Sequence, residues 1–220
     1  SRRTQQGIDL SVAASFTIAE FVLPGWIGQL RTLLPELRPR LQVVNSDNVD
    51  VLVHSGECVL GFVESASVSG DLARRVIGSD RLVIVVRKDH PWARRKTPLT
   101  RRQLLTTEFV VREAGSGTRA TFERALSAPP PVAMETTSTT ALVGAVLAGV
   151  GPGVVTPYAV QLGLASGELV EVRHQLDLER PLSAIWRRDL VLEGPVAALL
   201  RIAHGTLVPA QDGRVRQSGV

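Results

Sequence analysis

The chain has 220 residues, of which 44% are hydrophobic, 21% charged and only 4% aromatic. That length and apolar content suit one large domain or two small lobes and exclude a disordered chain. So few aromatics leave an aliphatic core and argue against a base-stacking nucleic-acid platform. The net charge of +4 is mild. Much of the arginine sits in one run, "WARRKTPLTRR" (92–102), read first as a solvated loop and helix face, with a nucleic-acid patch as the lesser alternative.

The lone Cys58 cannot form an internal disulfide, which fits a reducing compartment and a cytoplasmic protein. Inside an apolar run it reads as a small buried hydrophobe. No stretch of about 18 apolar residues is present, so no membrane span is expected. Residues 1–7 read as a linker or remnant and 209–220 as a C-terminal tail.

In chain order, residues 7–15 read as a buried strand ending in small polar residues. Leu23, Ile27, Leu30 and Leu34 then mark one apolar helical face. Pro24 either kinks that helix or opens its main part, and Pro35 stops it. A second strand is expected at 40–46. A short helix follows, capped by Asp47 or Asn48 and stopped at Gly56. A third, wholly apolar strand (58–64) ends in Glu64. Apolar strands alternating with helices point to a parallel sheet covered on both faces.

The second part reads as a strand before residue 80, a strand at 81–87 and a basic irregular connection. A short helix "RRQLL" and a strand at 108–113 come next. "REAGSGTR" (112–119) then leads into a helix at about 118–126, ended by "SAPPP". A strand runs into the polar turn at Thr136, and a small-residue helix spans 139–151. A short strand follows at 152–157. A helix, a turn at Gly167 and a strand come next, then a strand at 181–188. The last helix, 194–208, has Pro195 in its first turn. This order suggests two similar α/β lobes, with ligands expected beyond the carboxyl ends of strands.

Four polar turns fall at such ends: Ser15–Thr17, Glu64–Ser67, Gly115–Arg119 and Thr136–Thr139. "REAGSGTR" fails the Walker pattern, and "GVGPGVV" fails the dinucleotide fingerprint by one residue. Ser116 lacks the outer glycines of a nucleophile elbow. The four histidines form no partner pattern, so no catalytic constellation, metal site or cofactor is expected. What remains is plain helix capping or an anion cradle. In a cradle, glycines admit the ligand to backbone N–H groups while Ser116, Thr118 and Arg119 add donors. Ser15 and Thr17 offer a similar helix start.

Taken together, "SVAASFTIAEFVLPGWIGQLRTLLPEL", "GECVLGFVE", "DRLVIVVRKDHPWA", "PLTRRQLLTTEFVVREAGSGTR" and "ALVGAVLAGVGPGVV" resemble, in order and spacing, the regulatory domain of LysR-type transcriptional regulators. The resemblance spans about residues 8–205. "REAGSGTR" is similar to the subgroup that includes regulators of sulfur metabolism and carbon fixation. It implies an α/β, two-lobed fold like that of type 2 periplasmic binding proteins. One lobe would be 8–80 plus 157–208 and the other 81–156. A small-molecule effector, an anion or small carboxylate, would lie between them.

The resemblance assigns effector contacts to Ser15, Phe16 and Thr17, to Glu64 and Ser65, to Ser116, Gly117, Thr118 and Arg119, and to Thr137, Ser138 and Thr139. Ser65 stands where the family often has glycine. The resemblance further implies a homo-oligomer pairing the helix at 18–34 with one near 118–126. Phe21, Trp26 and Leu30 are either interface or core. DNA binding would belong to an N-terminal winged helix-turn-helix outside this chain. Two rivals stand beside this reading: a freestanding solute-binding protein, and an enzyme on the same fold with Glu64 as general base.

Overall fold

A computed structural model describes residues 8–206. The expected linker at 1–7 and tail at 209–220 lie outside the described residues. The chain opens with β1 (Ile8–Ala14), α1 (Phe16–Phe21), α2 (Leu23–Leu33) and β2 (Leu37–Val43). α3 (Ser46–His54), β3 (Leu60–Val63) and β4 (Leu72–Arg81) follow. It then crosses into β5 (Val83–Arg87), α4 (Arg101–Leu105), β6 (Phe109–Arg112), α5 (Gly117–Leu126) and β7 (Val132–Thr136). α6 (Thr139–Leu147), β8 (Gly153–Val155), α7 (Gln161–Ala165) and β9 (Leu169–Glu171) come next. It returns through β10 (Glu179–Arg187) and ends in α8 (Gly194–Thr206).

Two five-stranded sheets result, ordered β2-β1-β3-β10-β4 and β7-β6-β8-β5-β9. With its helices, each forms a lobe. The parallel sheet read from the sequence holds only for β2-β1-β3 and β7-β6-β8. β10 runs antiparallel to β3 and β4, and β5 runs antiparallel to β8 and β9. β10 is the strand that returns from the second lobe, and it enters the first sheet in the opposite sense.

The expected division also shifts. The division expected from the sequence puts residues 157–178 in the first lobe, but β9 joins the second sheet. Val160, Leu169, Val172 and Leu178 pack in the second lobe's cores. The chain therefore crosses back just before Glu179. Continuity of hydrophobic pattern gave no sign of this, because either sheet would bury such residues.

Local chemistry accounts for the element ends. Pro24 lies in the first turn of α2, where its missing N–H costs nothing. Asn45, not Asp47 or Asn48, caps α3 by accepting the Asn48 N–H at 3.0 Å, because β2 ends two residues earlier, at Val43. Thr100 and Gln103 form a reciprocal capping box on α4. α2 turns Leu23, Trp26 and Leu30 inward against Phe62 and the α8 residues Leu199, Leu200 and Ala203. Trp26 and Leu30 are thus core residues, whereas Phe21 is exposed and stacks on Tyr158.

Candidate functional site

The lobes touch along the carboxyl ends of β1, β3 and β6, and the turns there decide how closely. In "REAGSGTR" the backbone reverses at Gly115, with φ +89°, and Ser116 caps α5 by accepting the Arg119 N–H. A Cβ placed on Gly117 would collide with the Glu64 carbonyl oxygen of the other lobe. The Asp47 N–H donates to the Gly115 carbonyl at 3.3 Å, and Asn45 Nδ2 reaches Glu113 Oε1 and the Ala114 carbonyl. The glycines in this turn serve the approach of one lobe to the other.

Beneath that contact lies Arg180, wholly buried at the start of β10. Its Nε and Nη2 donate to the two oxygens of Asp80, at 2.6 and 2.9 Å. Its Nη1 donates to Glu64 Oε2 at 3.2 Å and to Thr118 Oγ1 at 3.1 Å. Its Nη2 also donates to Thr17 Oγ1 at 3.1 Å. Glu64 Oε1 accepts the Ile18 N–H at 2.9 Å, and Asp80 accepts the Thr156 hydroxyl at 3.2 Å. One guanidinium thus gathers groups from both lobes and from both strands that join them. Burial opposes the charge on Arg180, but the two carboxylates outweigh it and its pKa is raised.

A second buried arginine also joins the lobes. Arg112 places its guanidinium 4.2 Å from the centre of the Phe16 ring, a cation–π contact between lobes. It bonds both oxygens of Glu113 and donates to Thr139 Oγ1 at 3.1 Å. Glu20 stands close by, its carboxyl raised by burial and by Glu64 and lowered by Arg112.

The expected contacts therefore separate. Thr17, Glu64 and Thr118 meet on Arg180, while Phe16 and Thr139 meet on Arg112. Gly117 lies at the lobe contact itself, while Ser116 only caps α5. Ser15 turns its hydroxyl back to the Phe62 carbonyl. Ser65 stays in its own turn, accepting from the Ser67 N–H. Ser138 caps α6. Thr137 is exposed. Arg119 pairs with Glu123 and Glu135 along the second lobe.

Sequence reasoning missed Arg180, Asp80 and Arg112. For Arg112 the available signal was a charge lodged at the end of an otherwise apolar strand, "FVVRE"; Asp80 and Arg180 stand in polar stretches that give none. Glu64 is held by an ion pair and a backbone N–H, a poor setting for a general base. Cys58 is buried and its thiol pKa is pushed up by burial and then by Glu57, which keeps it protonated. Among the described residues no group of three or more His, Cys, Asp or Glu is placed to hold a metal. No helix of the described residues is long and apolar enough to cross a membrane.

Residues 4–207 match the LysR substrate binding domain family, and the chain belongs to it. The family is one of regulatory domains rather than enzymes, and the chain is an effector-sensing domain of that kind. It is 37% identical over 202 residues to the HTH-type transcriptional regulator Rv2282c of Mycobacterium tuberculosis, covering 84% of this chain and 64% of that protein. The chain thus spans under two thirds of that relative's length. In fold it resembles the Synechocystis PCC6803 CcmR regulatory domain in complex with 2-PG. That match has a TM-score of 0.80 and 23% identity, over 92% of this chain and 99% of that one. It likewise resembles the effector binding domain of QuiR in complex with shikimate. There the TM-score is 0.78 and the identity 13%, over 92% and 100% of the two chains.

Proposed function

We propose that this domain receives a small organic acid between its lobes and passes its occupancy to DNA-binding parts of the regulator that lie outside this chain. The observation that carries the reading is the convergence of two buried arginines, Arg112 and Arg180, with the hydroxyls of Thr17, Thr118 and Thr139 between the lobes. Such a set of donors suits a carboxylate or another oxyanion. The complexes of CcmR with 2-PG and of QuiR with shikimate lend support. A ligand acts here only through its differential affinity for open and closed lobes.

The domain also pairs with a second copy in this reading. Leu33, Leu41 and Val43 are exposed on the first lobe, and Val132, Met134, Leu147 and Val150 on the second. β2 and β7 are the outer strands of their sheets. On α5, by contrast, the outward residues are Ala120 and Arg124. We therefore place the second-lobe half of the contact on β7 and α6 rather than on residues 118–126. The regulator works in the cytoplasm in this reading.

The direct test is a thermal-shift screen of the purified domain against small acids, with shikimate, sulfate, phosphate and simple dicarboxylates among them. A ligand at 100 times its dissociation constant adds about 2.7 kcal/mol. A hit that disappears in both Thr17→Val and Thr118→Val supports the site. A hit retained in both places the ligand elsewhere.

A further inference from the structure

We infer that Glu64 occupies a carboxylate seat on Arg180, and that the effector's acid group enters by taking that seat. This rests on the reading of the cleft as the effector site. The two carboxylates on Arg180 are not held alike. Asp80 faces Arg180 in the strand ladder and takes two short bonds, at 2.6 and 2.9 Å. Glu64 takes a single, longer bond of 3.2 Å from Arg180, through a side chain one methylene longer than that of Asp80 and lying just past the end of β3. Asp80 is the fixed partner and Glu64 the exchangeable one.

The surroundings of the seat suit a second acid. Thr17 and Thr118 accept from Arg180, and their own hydroxyl protons go to no acceptor among the described residues. An acid placed there gains two donors that Glu64 does not use, together with the Ile18 N–H that it does.

Charge decides between addition and exchange. Two carboxylates already share one buried guanidinium. Adding a free anion beside them would bury a further uncompensated charge, which is unfavourable. Replacing Glu64 leaves the buried charge unchanged and returns the Glu64 carboxylate to water. The exchange is also felt between lobes, because the Glu64 carbonyl packs on Gly117.

The test uses acetate, which matches the carboxymethyl group removed in Glu64→Ala. Acetate is expected to stabilise Glu64→Ala saturably, with half-saturation at least about tenfold below that of the wild type. Acetamide, the neutral isostere, is expected to have no effect. The double variant Glu64→Ala/Arg180→Gln loses the acetate response. Should Glu64→Ala fold poorly, Glu64→Gln keeps the shape, and its affinity for simple carboxylates should rise by a similar factor. Equal acetate responses in wild type and both variants, or none in either variant, overturn the inference. A wild type that takes no acid in the screen, beside a Glu64→Ala chain that takes acetate, removes the effector reading and keeps the seat.

Discussion

Arg180 and Asp80 stand opposite one another on β10 and β4, the two strands that carry the chain between the lobes, and their side chains close a two-point ion pair there. Removing the guanidinium leaves two buried carboxylates without a cation. Arg180→Ala is expected to cost about 3–5 kcal/mol of stability, measured by chemical denaturation. Arg180→Lys should recover only part of it, since an ammonium cannot make the forked contact. A loss below about 1 kcal/mol for the alanine variant would show that the pair is not intact in solution.

Gly117→Ala puts a methyl group against the Glu64 carbonyl and forces the lobes apart. It is expected to cost about 1–3 kcal/mol and to enlarge the radius of gyration seen by small-angle scattering. Gly70→Ala is the control, because a Cβ there meets nothing within 4 Å. Equal behaviour of the two variants would contradict the close approach at Gly117.

His90 accepts the Trp92 N–H through Nδ1 at 3.1 Å. Its pKa lies below the ordinary value of about 6.5, chiefly through burial, with Asp89 opposing. A depressed folded pKa means that the unfolded chain binds the proton more readily. The stability His90 contributes is therefore full above about pH 6.5 and is lost as the pH falls through the folded value. His90→Asn, which keeps an acceptor for the turn, should flatten that part of the stability profile. An unchanged profile would assign the acid sensitivity to other groups.

Trp26 Nε1 is buried without a hydrogen-bond partner among the described residues, and its ring packs 5.2 Å from that of Phe62. Trp26→Phe gives up some buried area and removes an unpaired donor. It should change stability by less than about 1.5 kcal/mol. Trp26→Ala should cost about 3–5 kcal/mol. Denaturation midpoints of the two variants distinguish these outcomes.

If the exposed apolar residues of α2, β2 and β7 pair two copies, Leu33→Asp and Met134→Asp should each shift the domain toward monomer in light scattering at matched concentration. Val191→Asp, on an exposed apolar residue of the connection between β10 and α8, should not. A monomeric wild type would end the pairing proposal.

The alternation of apolar runs with helical spacing was enough to show two α/β lobes, because each element buries a face with its own period. Pro24, Pro35, Gly56 and Gly167 marked ends through backbone rules that act within a few residues. The partition of 157–178 was not legible, since a short buried strand such as Leu169–Glu171 suits either sheet equally well. Nor was the centre of the site. Arg180 lies 116 residues from Glu64 and 100 from Asp80, and a lone arginine beside a proline looks like a surface residue until the fold buries it. The resemblance drew attention to turn hydroxyls. Thr17 and Thr118 do meet there, but it could not supply the cation that joins them.

The order β2-β1-β3-β10-β4 has a consequence for how the protein is made. The strands of the second sheet all fall between Val83 and Glu171, so that lobe is complete once an unbroken stretch of chain has left the ribosome. The first sheet waits for β10, which must slot between two strands synthesised about a hundred residues earlier. During that interval Glu64 and Asp80 are present without their cation. The half of the molecule that begins first is therefore the half that finishes last, and a growing chain passes through a stage with one lobe formed and the other held open for its missing strand.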